Sequence, residues 1–567
     1  MDASSSTAAV LLLLAAAGSA VFLIARDAPV KRQGDARTPP VLPFALPLIG
    51  HLAQFLWDTE KLFTKASTQY GPDTPVQLRL ANRRMTILNG PSNIMSLFKA
   101  SRWVSSERWL VQVLLNAFGI NTQDVPFYLA DNTGVGQQPL PHSNPIPPEH
   151  RIFHLSYQSV HDGLSGKRLE ELQEQFIRNF HEQVVLAEID EDGAWTDVPD
   201  LYGSLLQAMT FRASVKSVCG PHILEDIPNL EADFWEYDRR MGTLLSEVPR
   251  WLSPASHASR DKMKKNIRNW HELAHKGYGT NDIETDESNW EEHFGSKLFR
   301  SRQVFLSKTP LTKDTIAAED LGLFWASAAN VIPALGWMVI EAAQRPELLE
   351  RIRAEVAPFL AFPTDGGPPD IDLDGLCQQP LVQSLYAEVL RVHAGTIIAR
   401  VPQKDNFSIG GWLFPKDEPI MISTYDTART ASVWNHGTLD EPHPVGDFWP
   451  ERFIVDPNDP NSGPVLPHLR PEKTQGQPEQ PSGPYFSLDG TTGSWLPFGG
   501  GSRMCPGRHF AKREMIVGMA LFLTEFDIEL EPRDGRIEHD MAYVMLGVMH
   551  PKGSVPAKVR RRRTVTR

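Results

Sequence analysis

The stretch Phe498-Gly499-Gly500-Gly501-Ser502-Arg503-Met504-Cys505-Pro506-Gly507 decides how this chain is read. A cysteine stands in a tight, glycine-rich loop. The apolar Ala511, Met515 and Val517 that follow predict a helix leaving it. A metal-bound thiolate needs such a loop, because backbone amides that approach sulfur tune its basicity and the potential of the metal. Glycines allow that approach, and Gly501 and Gly507 can take conformations closed to other residues. Phe498 can shield the sulfur from water, and the forked donors of Arg503 suit a carboxylate on a bound group. The bland alternative for a lone cysteine is a small buried hydrophobe, which is the expectation for Cys219 and Cys377.

Two further segments stand upstream in a fixed order. Glu388-Val389-Leu390-Arg391 places an acid and a base three apart on one helix face. Pro450-Glu451-Arg452-Phe453 lies between that pair and the cysteine loop. Together, FxxGxxxCxG at Phe498, Gly501, Cys505 and Gly507, ExxR at Glu388 and Arg391, and the PERF-like segment closely resemble the cytochrome P450 family. The resemblance implies the P450 fold, mostly α with a small β region, over about residues 40–560. It implies haem b with Cys505 as iron ligand and metal-binding residue, and Arg503 and Arg400 as contacts to the haem propionates. Glu388, Arg391 and Arg452 would form a buried charge network that supports the haem pocket without reacting. The family's WxxxR pair is not found before Leu164, where His150, Arg151 and His154 occupy the corresponding region.

The chain departs from the common pattern at its apolar helix. Most P450 monooxygenases carry AGx(D/E)T(T/S) there, whereas this chain has Ala326-Ser327-Ala328-Ala329-Asn330. Ala329 replaces the acid and Asn330 the threonine, and an amide donates a hydrogen bond but relays protons poorly. Pro333 has no amide hydrogen, so the Ala329 carbonyl should lose its helical partner and the helix should bend. The arrangement resembles the branch holding sterol 7α- and 12α-hydroxylases and prostacyclin synthase. That branch divides the reading. The leading expectation is a monooxygenase taking NADPH electrons from cytochrome P450 reductase and oxidising a bulky lipophilic sterol, terpenoid or other secondary metabolite. The alternative is a redox-neutral isomerase or dehydratase acting on a peroxide or epoxide, and a haem-based binder or sensor is a third. By family analogy the pocket draws on Trp109, Phe118, Trp325, Ala329, Asn330, Ile397 and Val548.

Composition sets the surroundings. With 567 residues, 41% hydrophobic and 22% charged, the chain has the make-up of a large globular enzyme. A net charge of -13 argues against nucleic acid as a partner. Around the thiolate loop, however, Arg503, Arg508, Lys512 and Arg513 form a basic cluster suited to an acidic electron donor. The three cysteines suggest neither a disulfide framework nor a zinc site. Ala8–Ala25 is apolar and just long enough to span a bilayer, with a cleaved signal peptide as the alternative. Arg26, Lys31, Arg32 and Arg37 follow it, favouring a single-pass anchor in the endoplasmic reticulum with a cytosolic body. The expected organisation is an anchor and basic flank over 1–38, then one catalytic domain over 39–567.

Alternation around Ala81-Asn82 predicts a hairpin over Val76–Leu88, before a helix near Ser92–Lys99. Helical spacing appears from Gly166 and near Leu201–Cys219, Leu321–Gln344, Pro346–Val356 and Leu381–His393. Leu321–Ile340 also has the length of a second membrane span, although Ser327, Asn330 and Pro333 interrupt it. Short strands are expected within Ile397–Ser423, irregular chain over 139–148 and 434–494, and an exposed basic tail at Arg560–Arg563.

Overall fold

The hairpin forms as read. Val76–Leu80 and Arg83–Ile87 pair antiparallel, with Ala81 at φ 53° turning the chain. The computed structural model describes residues 32–562 except 34–35, 44–45, 47, 191–192, 279–282, 365, 472–481 and 532–535. The expected anchor therefore lies outside the described residues. The chain divides into two units, the smaller built from residues 1–106, 396–432 and 492–501.

In the smaller unit Ile420–Ser423 adds parallel to the hairpin and antiparallel to strand Ala394–Pro402, which also takes Val104–Ser105. Leu88, Ile94, Leu97, Phe98, Ile398, Ile422 and Leu496 pack into one core. Helix Pro91–Lys99 contributes to it, with Pro91 in its first turn, where a missing amide hydrogen costs nothing. Of the basic flank, Arg37 lies over the Trp412 ring at 4.4 Å.

The larger unit is mostly helical. Helix Gly166–Val185 packs on Ala208–Cys219 and on Arg508–Glu525, which in turn packs on Val331–Ala343. Every residue of Val331–Ala343 is buried. A helix apolar on all sides belongs in the centre of such a body. Among the described residues, 313–343 is the one run long and apolar enough to cross a membrane, and 72% of its apolar window is buried. The second-span alternative therefore gives way to a core helix. Thr312 caps its start, and the run breaks at Ala329-Asn330, one turn before Pro333, as the missing amide requires.

The basic C-terminal run is not a tail. Ala557–Arg561 is the middle strand between Phe526–Leu530 and Thr196–Val198. Arg560 pairs with Asp527 at 3.0 Å, and Arg561 donates to the carbonyls of Val184, Val185 and Ala187. Acceptors on neighbouring elements hold these arginines. Arg563 lies outside the described residues.

Candidate active site

The loop glycines serve different ends. Gly499 and Gly501 sit at φ 70° and 69°, backbone that other residues rarely adopt. Gly500 is small for space: a Cβ there would meet the Phe98 ring at 2.3 Å. Phe498 stands edge-on to Trp495, ring centroids 6.3 Å apart. Gly507 differs from expectation, with ordinary right-handed backbone at φ -80° where helix Arg508–Glu525 begins. A Cβ there would make only ordinary contacts, 3.5 Å from Leu164 and 3.8 Å from Cys505 Sγ, so neither backbone strain nor space demands glycine at this position.

Cys505 is exposed, whereas Cys219 and Cys377 are buried, as the bland reading of those two required. Burial pushes the Cys377 thiol up to about 11. At Cys505, crowding of the sulfur also raises the pKa, but the amides of Gly507 and Arg508 and the Arg508 charge oppose it. Cys505 is thus the exposed cysteine of the three, just before a helix N-terminus with the Gly507 and Arg508 amides aimed at its sulfur. Among the described residues no three His, Cys, Asp or Glu side chains gather to hold a bare ion. A single sulfur fits a group that brings its own in-plane donors, as haem does.

The candidate propionate contacts are engaged locally. Arg503 Nη2 pairs with Glu107 Oε1 at 2.6 Å, an acid that sequence reasoning missed. Arg400 Nη2 donates to the Gly500 carbonyl at 3.0 Å. Arg151 donates to Thr133 Oγ1 and the carbonyls of Gly136 and Gln137, and His154 Nδ1 lies 2.9 Å from the Val135 carbonyl. These two fasten the glycine-containing loop that precedes Leu140. His150 stands edge-on to Phe127. In the basic cluster, Lys512 donates to Gln383, and Arg513 to Gln173 and Asp374.

Glu388, Arg391 and Arg452 meet in the buried charge network that the family resemblance implies. Arg391 Nε and Nη2 donate to the two oxygens of Glu388 at 2.7 and 2.8 Å, and Arg452 Nε adds a third bond at 3.0 Å. The Trp449 amide supplies a fourth at 2.9 Å. Remaining guanidinium hydrogens go to the carbonyls of Val445, Asp447 and Asn435. Burial alone would raise the Glu388 pKa, yet the charges of Arg391 and Arg452 hold it down at about 2. Fully satisfied and remote from open space, the trio is a brace.

On the distal helix Ala326 is exposed and Gly322, Trp325 and Asn330 are half-buried, so one face opens on accessible space. Phe118 lines the same wall, its ring centroid 6.0 Å from that of Trp325. Ala329 is buried at the break. Asn330 Oδ1 accepts from the Val548 amide at 2.9 Å. A Cβ at Gly547 would lie 1.8 Å from that oxygen and would push the Asn330 amide off this bond. The acceptor end of Asn330 is thereby spent on a backbone brace. Trp109 is half-buried on helix Glu107–Val113, and Ile397 pairs with Ser423 in the smaller unit.

Sequence reasoning also missed a polar group behind Trp325. The indole Nε1 donates to Asp238 Oδ1 at 2.7 Å. His550 Nε2 stands 3.6 Å from Asp238 Oδ2, and its Nδ1 lies 2.9 Å from the Tyr202 hydroxyl. Burial pushes the Asp238 carboxyl up to about 7, against the pull of Trp325 and Tyr543, and pushes His550 down to about 3. In the sequence, Asp238 precedes Arg239-Arg240 and reads as part of a solvated charge run. No local signal could have found it.

A family model for Cytochrome P450 matches residues 39–556. The chain belongs to the cytochrome P450 family. It is 34% identical over 542 residues, 94% of this chain and 91% of the relative, to "Cytochrome P450 monooxygenase efuG" of Hormonema carpetanum. It is 26% identical over 410 residues to "25-hydroxycholesterol 7-alpha-hydroxylase" of Rattus norvegicus, covering 70% of this chain and 87% of that one. This agrees with the sterol-hydroxylase resemblance of the distal helix. Among solved structures, retinoic acid bound cyanobacterial CYP120A1 superposes with a TM-score of 0.61 at 18% identity. That match covers 93% of this chain and 99% of that one, and speaks for the fold. The protein is thus a P450 monooxygenase, a haem-dependent oxidoreductase.

Proposed function

We propose that this P450 monooxygenase oxidises an apolar carbon of a bulky lipophilic substrate, a sterol, terpenoid or related secondary metabolite. Electrons come from NADPH-cytochrome P450 reductase and haem b is held by Cys505. The apolar distal face carries this reading: Phe118 and Trp325 make a wide aromatic wall beside the exposed Ala326, and the helix breaks one turn before Pro333. A relative named for 25-hydroxycholesterol supports a polycyclic substrate. Residues 1–38 would anchor the body of 39–567 in the endoplasmic reticulum membrane by a single pass, on the cytosolic side.

When bound, the haem supplies oxygen activation and the thiolate pushes electron density toward it. The chain supplies the rest. Amides of Gly507 and Arg508 temper the Cys505 sulfur. Phe118 and Trp325 exclude water and hold apolar rings. Asn330, with its oxygen bound to the Val548 amide, can donate from its nitrogen but carries no hydroxyl for passing protons.

That last feature favours a second reading, redox-neutral rearrangement of a peroxide or epoxide, because neither Ala329 nor Asn330 can act as a proton relay. Expression with a reductase, followed by product analysis with and without NADPH, separates the two. Oxygenated product that requires NADPH is the expected result. Turnover without NADPH, reductase and oxygen would overturn the monooxygenase assignment. Cys505→Ala should also abolish the thiolate signature of the carbon monoxide difference spectrum, and a retained band would place the iron on another residue.

A further inference from the structure

Asp238 and His550 are 2% and 5% exposed, and each keeps one side-chain atom, Oδ2 and Nε2, without a hydrogen bond. Unmade hydrogen bonds at buried polar atoms are costly, so such a pair calls for a partner. The Tyr543 ring stacks on His550 at 4.0 Å, and its hydroxyl lowers the Asp238 pKa without completing a bond to Oδ2.

The network fixes what the two atoms offer. Gln207 Nε2 donates to the Tyr202 oxygen at 3.4 Å, and with His550 in its Nε2–H tautomer the Tyr202 hydrogen points at His550 Nδ1. A neutral imidazole that accepts at Nδ1 carries its hydrogen on Nε2. In that tautomer, with Asp238 ionised, His550 Nε2 is a donor and Asp238 Oδ2 an acceptor, 3.6 Å apart, too far for a good bond to each other. Both atoms are closed to solvent, so an oxygen about 2.8 Å from both enters only when the side chains around them shift. A hydroxyl, which accepts one hydrogen and donates another, matches this pair.

Two rails connect the pair to the distal face. Trp325 lies in the last turn of helix Lys313–Ala328, and Asn330 caps the next helix just across the break. Val548 ends strand Leu546–Val548, and His550 follows two residues on. Asn330 joins Val548 at one end, and Trp325 joins Asp238, with His550 beside it, at the other.

We propose that Asp238 and His550 form a polar anchor for a hydroxyl group on the end of the substrate remote from its oxidised carbon. The proposal rests on the lipophilic-substrate reading above and narrows it to hydroxylated sterols or terpenoids. Trp325, sharing Asp238, aligns the ring system while the hydroxyl fixes its depth.

The test uses the holoenzyme and two matched pairs of probes: cholesterol with cholest-5-ene, and β-amyrin with olean-12-ene. Dissociation constants come from spectral titration. Wild type should bind the hydroxylated member of at least one pair about tenfold more tightly, the worth of one satisfied hydrogen bond. Asp238→Asn keeps the Trp325 acceptor but turns Oδ2 into a donor, and should bring that ratio close to one. His550→Phe, which keeps the stacking on Tyr543, should do the same and guards against a folding defect in the first variant. Binding without hydroxyl preference in wild type, or an unchanged preference in both variants, overturns the anchor and leaves the substrate class standing. If no probe of either pair binds, the class itself falls and the anchor with it.

Discussion

Glu388 and Asp238 are carboxylates sealed in the same helical body, yet their protons are held very differently. Glu388 receives two arginines and a backbone amide and sits at about 2. Asp238 receives one full hydrogen bond, from Trp325, and rises to about 7. Burial is common to both, so the cations decide. A buried carboxylate that meets its charge is a fastening, whereas one left half-bonded is available to something else.

The largest effect that can break this comparison is at the fastening. Glu388→Gln leaves Arg391 and Arg452 buried without their anion and should cost about 3–5 kcal/mol. Thermal unfolding and haem retention measure it, and loss of haem at ordinary temperature is expected. A stability change under about 1 kcal/mol would mean that the carbonyls of Val445, Asp447 and Asn435 hold the arginines unaided.

The next effect runs through Asp238 and has the opposite sign with pH. A carboxyl whose folded pKa is raised from 3.8 to about 7 contributes its stability below pH 4 and loses it as pH climbs toward 7. The loss is at most about 4 kcal/mol for a shift of roughly three units. Asp238→Asn should therefore gain on wild type between pH 4 and 7 in denaturant titrations. A flat difference across that window would show that Asp238 stays ionised and is already satisfied.

Glu388 supplies the mirror image. Its depressed pKa contributes stability that is present above its ordinary 4.5 and is lost as pH falls toward 2, about 3 kcal/mol in all. Acid unfolding should thus be steeper in wild type than in any Glu388 variant that still folds. Equal slopes would place the acid sensitivity elsewhere.

How far the sequence revealed these regions follows from how local their physics is. The cysteine loop, ExxR and the PERF-like segment are contiguous and carry fixed spacing, so Cys505, Glu388, Arg391 and Arg452 were found, and the break before Pro333 follows from one missing hydrogen. Period-based reading likewise placed Pro346–Val356 and the hairpin. Asp238, His550 and Tyr202 meet only through folding across 348 positions of chain, from Tyr202 to His550, and no periodicity marks such a meeting. The Arg560–Arg562 run misled for the same reason, since its partners Asp527 and Val184 to Ala187 are distant in sequence. Gly507 was read as a conformational glycine, whereas its backbone is ordinary right-handed helix start.

The smallest expected effect lies where the two rails begin. Asn330→Ala removes one hydrogen bond to the Val548 amide and should cost about 1 kcal/mol, well below the Glu388 variant. Its functional trace should be larger than its structural one, because the Leu546–His550 segment loses its tie to the helix break and the anchor pair can drift. Coupling of NADPH use to product should fall in Asn330→Ala. In Asn330→Thr it should change in a different way, since the hydroxyl restores a group able to pass protons but reaches Val548 less well. Identical coupling in all three proteins would make Asn330 a packing residue and would leave Trp325 as the link between the cleft and Asp238.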